Sequence, residues 1–91
     1  MYEIKFSGRY KKDLKRIKSK KSLIAALEDV IDLLSKNDDL LPEKYNDHPL
    51  HGKYKEYREC HVKSDWLLVY KKNKKELILF LMATGNHSEI F

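Results

Sequence analysis

The hydrophobic period of this 91-residue chain changes once, near its middle, and that change limits the folds open to it. Before Asn37 the apolar residues recur at helical spacing. Tyr10, Leu14 and Ile17 fall on one helix face, and Ser7 offers an N-cap side chain ahead of them. Leu23, Leu27, Val30, Ile31 and Leu34 make the stripe of a second helix, with Ser19 or Ser22 as its cap and an end near Asn37. Past Gly52 the pattern is that of strands. Lys53–His61 is polar and aromatic, Trp66–Tyr70 is a compact apolar run, and Glu76–Met82 (ELILFLM) is a second run, expected to form the central strand. Turns are expected at Lys63-Ser64 and at KKNKK, where Asn73 can take a positive φ. A short alternating strand, YEIKF, precedes the helices, and Asn37–Leu50, with both prolines, reads as loop. The expected fold is α+β in the order β-α-α-β-β-β, an N-terminal helical hairpin packed on one face of an antiparallel sheet.

A chain of this length makes one domain, residues 1–91, with one modest core. Cys60 is the only cysteine, so no internal disulfide is possible and a reducing, cytoplasmic setting is expected. MYEIKFSGRY lacks the apolar run of a secretory signal, and no stretch of about 18 apolar residues suggests a membrane span. The net charge of +5 is uneven. Residues 1–21 hold nine Lys/Arg against two acids, residues 22–49 two against seven, and residues 50–91 eight against five. Basic segments flanking an acidic one suit a polyanion such as a phosphate backbone. A solvated lysine face kept for solubility accounts for the charge equally well.

All four histidines, His48, His51, His61 and His87, lie in the second half, three of them within DHPLHGKYKEYRECHVKSDWLLVY. His48-x-x-His51 resembles metal-ligand spacing, with His61, Cys60 or Asp65 as a third donor. Pro49 interrupts that pair and no second compact pair follows, so neither a metal nor any cofactor is expected. Imidazoles titrate near neutrality and can move protons in both directions at pH 7. With His61 ending one strand, Asp65 just past the turn, His48 in the loop and His87 after the last strand, one concave face can collect them. Either Tyr57 or Arg58, which alternate along the strand, can point into it. RNA carries its own nucleophile, the 2′-hydroxyl, so a base, an acid and cations suffice for cleavage, and aromatics can stack on splayed bases. Ordinary surface histidines in an aromatic-rich sheet remain the competing reading.

The stretch from Asp47 to Tyr70 and the terminal TGNHSEIF together resemble the YafQ-like toxins of bacterial type II toxin–antitoxin systems, within the RelE superfamily. The motifs are the DHPL-x-G turn, the YR-acid-x-H strand, DWLLVY and the G-x-HSE terminus. The resemblance implies a ribosome-dependent endoribonuclease that cuts mRNA in the A site of the 70S ribosome; the alternatives are a RelE-fold protein that grips ribosome or antitoxin but cleaves poorly, and a stand-alone RNA-binding domain. It further implies 2′,3′-cyclic phosphate and 5′-hydroxyl ends, and a cognate antitoxin that wraps the toxin with its C-terminal segment. By the same resemblance His48, Glu59, His61, Asp65 and His87 are the catalytic set, Phe91 holds an mRNA base, and Arg58 meets the phosphate, while His51 is a bystander. Many relatives carry an Arg where this chain has Ala83. Arg58 or the Lys71/Lys72 pair is expected to replace that cation, and Ala83→Arg is expected to speed cleavage. Lys11, Lys12, Lys15 and Lys18, off the apolar stripe of the first helix, are expected to dock the ribosome.

Overall fold

The computed structural model describes residues 1–39 and 41–91. Its elements are β1 (Glu3–Phe6), α1 (Gly8–Ile17), α2 (Lys21–Lys36), β2 (His48–Pro49), β3 (Arg58–Lys63), β4 (Trp66–Asn73), β5 (Ile78–Asn86) and α3 (His87–Ile90), with short 3-10 turns at Glu43–Tyr45 and Gly52–Tyr54. The six expected elements follow in the expected order, with a short strand, β2, and a C-terminal helix, α3, added to them. Of the loop expected over Asn37–Leu50, Leu40 lies outside the described residues, and the rest gives up two residues to a short strand, β2.

The strands form one sheet in the order β1-β5-β4-β3-β2. β3, β4 and β5 make the expected antiparallel meander, but β1 joins β5 in parallel, so the sheet is mixed rather than antiparallel. The reason is burial: β5 needs a neighbour on each side, and the helical hairpin returns the chain so that β1 fills the open one. β4, not β5, is therefore the middle strand.

Three local expectations shift. The strand expected from Lys53 starts only at Arg58, because Gly52 takes φ 66° and Lys55 N–H bonds back to its carbonyl, turning the chain. Lys20, not a serine, sits at the α2 N-cap, with no side-chain cap. In the β4–β5 turn Leu77 takes the positive φ, whereas Asn73 accepts bonds from the Lys75 and Glu76 N–H groups. The Ser7 cap is present, its hydroxyl accepting from Tyr10 N–H at 2.9 Å.

Alternation along the strands divides the core. On one face Cys60, Val62, Leu68, Tyr70, Leu79 and Leu81 meet Ile17, Leu27, Val30 and Leu34 of the helices. On the other a smaller cluster joins Leu67, Val69 and Ala83 to Ile90, with Leu50, Tyr57 and Met82 against it. α3 seats there against Gly85, where a Cβ would meet the Glu89 Cβ at 3.4 Å, an ordinary contact distance. A capping box between Asn86 and Glu89 closes its first turn.

β1 leaves the sheet at Phe6, so the edge of β5 beyond Leu81 loses its strand partner. Side chains of α1 replace it. The Ser7 hydroxyl donates to the Met82 carbonyl at 2.6 Å, Asp13 accepts from Thr84 N–H at 3.0 Å, and Arg9 donates to the Ile90 carbonyl at 2.9 Å. Asp13 is itself buried and paired with Arg16 at 2.8 Å. Asp13→Ala strands a buried donor, and urea denaturation should show a loss of about 1–3 kcal/mol with an unchanged m-value. A change no larger than that of a surface substitution would contradict this tie between helix and sheet.

Candidate functional site

The two-residue β2 lies at the sheet edge, where Pro49 forfeits no ladder bond. Its register places His48 opposite Glu59. The preceding Asn46 adopts a left-handed conformation that asparagine tolerates, and its carbonyl accepts from His48 Nδ1 at 2.7 Å. A carbonyl only accepts, so Nδ1 carries a hydrogen. His48 Nε2 lies 2.9 Å from Glu59 Oε2, and a further proton must lie between them for that contact to be a hydrogen bond. Glu59 is 7% exposed, and its Oε1 has no hydrogen-bond partner among the described residues.

His61 stands two residues beyond Glu59 and so on the same face. Its Nε2 is 3.5 Å from the Asn46 side-chain amide, a long contact. Asn46 thus touches both imidazoles. His61 pairs with Leu67, and Leu67 with Gly85, which sets His61 two strand spacings, roughly 10 Å, from Gly85, two residues before α3 begins. His87 is the first residue of that helix and is exposed. Its ring is 5.1 Å from that of Phe91, which meets Tyr54 edge-on at 5.4 Å, and Lys53 Nζ lies 5.2 Å from the Tyr54 ring. Phe91 is 43% exposed. His48, Glu59, His61, His87 and Phe91 therefore share the sheet face away from α1 and α2, with the Ile90 cluster as the floor between them.

Other expected members are elsewhere. Arg58 points to the helix-bearing face, with its Nε 3.0 Å from Asp47 Oδ1. Tyr70 donates its hydroxyl to the same oxygen at 2.6 Å, and burial, followed by that bond, pushes the Tyr70 pKa up. Arg58 is thus a structural partner and not a phosphate ligand of this face. Tyr57 takes the inward position instead. Lys71 and Lys72 diverge by the same alternation. Lys71 lies over the Tyr57 ring at 5.3 Å, while Lys72 crosses to Tyr2 and donates to the Asn37 carbonyl. Asp65 is exposed in the β3–β4 turn, beside Lys20, Ser22 and Lys63, and among the described residues makes no side-chain hydrogen bond to a histidine. Ala83 is 0% exposed, in one cluster with Leu67, Val69 and Ile90. An Arg at this position has to repack the cluster around Ile90 before its guanidinium reaches the face, so the gain in rate expected of Ala83→Arg depends on that rearrangement.

No group of three or more His, Cys, Asp or Glu among the described residues is arranged to hold a metal ion. Cys60 is buried on the helix side, where burial pushes its thiol pKa up. His51 is exposed outside the set. Lys11, Lys12, Lys15 and Lys18 are all exposed along α1. The residues missed in the sequence are Asn46, whose only signal is its place before the DHPL turn, and Tyr54 with Lys53, which stand there as an unassigned aromatic–lysine pair.

Residues 2–91 match the family described as the bacterial toxin of type II toxin–antitoxin system, YafQ. The mRNA interferase toxin YafQ of Escherichia coli K12 is 39% identical over 89 residues, 98% of this chain and 95% of that protein. The crystal structure of the E. coli DinJ–YafQ complex contains a chain that superposes with a TM-score of 0.86 at 35% identity, covering 100% of this chain and 99% of that one. A crystal structure of a metal-bound toxin from Helicobacter pylori gives 0.86 at 44% identity, with both chains covered completely.

Arg58→Ala should act through folding. The Asp47 side chain is 2% exposed and would keep a buried charge without its cation, while the Arg58 side chain is 29% exposed and partly screened. Urea denaturation should show a loss on the order of 3 kcal/mol, the low end for breaking a buried pair. An unchanged unfolding midpoint together with lost cleavage would return Arg58 to the RNA site.

Proposed function

We infer that this chain, which belongs to the YafQ family of bacterial type II toxins, uses the sheet face away from its helical hairpin to cut mRNA held by the ribosome. It is the toxin of a toxin–antitoxin system and an mRNA interferase, an endoribonuclease. An antitoxin partner follows from the family. The observation that carries the placement is the convergence of His48, Glu59, His61, His87 and Phe91 on one face, from three separate parts of the chain.

One imidazole takes the proton of the 2′-hydroxyl, the oxygen attacks the adjacent phosphorus, and a second imidazole returns a proton to the departing 5′-oxygen. The products are a 2′,3′-cyclic phosphate and a 5′-hydroxyl. His61 and His87 suit these transfers, because neither ring is held by a short hydrogen bond. Both nitrogens of His48 are engaged, by Asn46 and Glu59. His48 is a fixed donor group, positioned by a buried carboxylate, that meets the phosphate once RNA draws it from Glu59. Phe91, exposed beside His87, offers a stacking surface for the displaced base. Lys53 and Lys71 supply the cations that Arg58 and Lys72 do not. Asp65 is not joined to the set in the isolated chain.

The site's acid–base groups need no metal for this step, although the H. pylori toxin was solved with metal bound. Few preorganised cations line the face, so the ribosome is expected to hold the RNA in a reactive geometry. The exposed lysines of α1 form the docking face, away from the proposed chemistry.

On programmed ribosomes, His61→Ala and His87→Ala should each lower the single-turnover cleavage rate by about 10²–10⁴-fold with an unchanged melting temperature. Naked RNA should be cut far more slowly than translated RNA. Wild-type rates in both variants, or stoichiometric zinc in the purified active toxin, would contradict the proton-transfer reading. Replacing Lys11, Lys12, Lys15 and Lys18 with Glu should weaken ribosome association and flatten its salt dependence, with each change altering stability within about 0.5 kcal/mol. Unaltered binding across a salt titration would place the docking face elsewhere.

A further inference from the structure

Three rows of side chains cross the sheet on the face away from α1 and α2. The row of His61, Leu67 and Gly85 lies nearest α3, and the row of Glu59, Val69 and Ala83 comes next. A third row lies beyond the proposed cleavage groups and has no part in the chemistry above. It begins at Tyr57, two residues before Glu59, and continues through Lys71, two residues after Val69. Lys71 is in register with Phe80, and Phe80 with Lys5 of the edge strand. The third row therefore reads Tyr57, Lys71, Phe80, Lys5, with aromatic and cationic side chains alternating across three strands and the start of β3.

The geometry within the row is close. Lys71 Nζ lies 5.3 Å from the Tyr57 ring centre and 5.7 Å from that of Phe80. These residues, with Asn73 and Ile78, line an open recess of about 280 Å³. Tyr57 and Phe80 are half-buried, so each ring is anchored on one side and open on the other. Neither Lys71 nor Lys5 forms a salt bridge among the described residues, and Glu76 at the nearby turn is bonded by the Asn73 amide. Glu3 faces the same side, two residues before Lys5 on the edge strand. The two rows are two residues apart, roughly 6.6 Å at the rise of a strand, which is the scale of one step along an extended single strand.

We propose that this row is a second nucleotide subsite, which holds the base of a nucleotide flanking the cut between Tyr57 and Phe80 and takes its phosphates on Lys71 and Lys5. The proposal rests on the reading of the adjacent rows as the cleavage face. A base entering the recess moves the Lys71 ammonium off the two rings and toward the phosphate, exchanging a cation–π contact for a charge-assisted one. Stacking on Tyr57 and Phe80 tolerates any base, because every base presents a π-face. The subsite therefore sets the direction and register of the strand across the sheet more than its sequence.

The test is an NMR titration of the full chain with a 2′-O-methyl tetranucleotide, which lacks the nucleophile and stays intact. The comparison ligand has the same backbone with one abasic residue at the flanking position. The Tyr57 and Phe80 ring resonances should shift together with those of His61 and His87. Phe80→Ala should weaken binding roughly 5- to 150-fold, as should the abasic ligand on the wild type, and the two losses should not add. Phe80→Leu keeps apolar bulk without a ring and should lose as much as Phe80→Ala, which separates stacking from folding. If His61 and His87 shift while Tyr57, Lys71 and Phe80 do not, or if millimolar ligand moves no residue of the row, the subsite is overturned. It is equally overturned if a peptide from the antitoxin's C-terminal segment moves the row and the oligonucleotide does not. Cleavage on programmed ribosomes is scored separately, so a toxin that cuts normally but leaves the row unmoved refutes the subsite alone. A chain whose row binds RNA but which never cuts refutes the cleavage reading alone.

Discussion

The buried carboxylate of Asp47 holds the site in place. Its side chain is 2% exposed and has three partners: Arg58 Nε at 3.0 Å, the Tyr70 hydroxyl at 2.6 Å and, more distantly, Leu41 N–H at 3.4 Å. The partners come from β3, β4 and the loop after α2, so one side chain fastens that loop to the sheet. The residues on either side inherit their positions from it. Asn46 is turned back toward the two imidazoles, and His48 is delivered to the register position opposite Glu59. The cationic residue beside Glu59 is thereby committed to structure, and the alternation of the strand leaves Tyr57, Glu59 and His61 to the other face.

The sheet thus separates two tasks. The face covered by α1 and α2 holds most of the apolar core and therefore most of the stability. The opposite face keeps only a small cluster around Ile90, enough to seat α3 and to keep Glu59 nearly dry. A buried carboxylate needs a hydrogen-bonding partner, and His48 is the partner supplied, at 2.9 Å. The edge of β5 where α3 begins is secured by α1 through Ser7, Arg9 and Asp13. The placement of His87 therefore depends on a helix more than 70 residues earlier in the chain. Ala83 and Ile90 share the buried cluster at the centre of this face, and its cations, Lys53 and Lys71, stand at the margins.

Much of the architecture was legible in the residues. The Ser7 cap, both helical stripes, the meander and the end of α2 near Asn37 are local or periodic signals, and each is where the pattern puts it. The parallel pairing of β1 with β5 was not legible, since no periodicity says which strand some 75 residues away will fill an open edge. The site was legible as a set of residue types but not as a direction. Alternation says that Arg58 and Glu59 oppose each other and that Lys71 and Lys72 do too. Which member faces the histidines was decided by Asp47 and by the Asn37 carbonyl, partners distant in sequence. The family resemblance marks Ala83 as a missing cation, but it does not show that the position is buried in the cluster around Ile90.

The central claim is that the histidine-bearing face drives attack by the 2′-hydroxyl of RNA and not by water. The most direct measurement is the chemistry of the ends left on an mRNA cut by the purified toxin on programmed ribosomes. The geometry predicts a 2′,3′-cyclic phosphate on the upstream fragment and a 5′-hydroxyl on the downstream one. A 3′-hydroxyl paired with a 5′-phosphate would mean that water, activated in some other way, is the nucleophile, and would contradict this account.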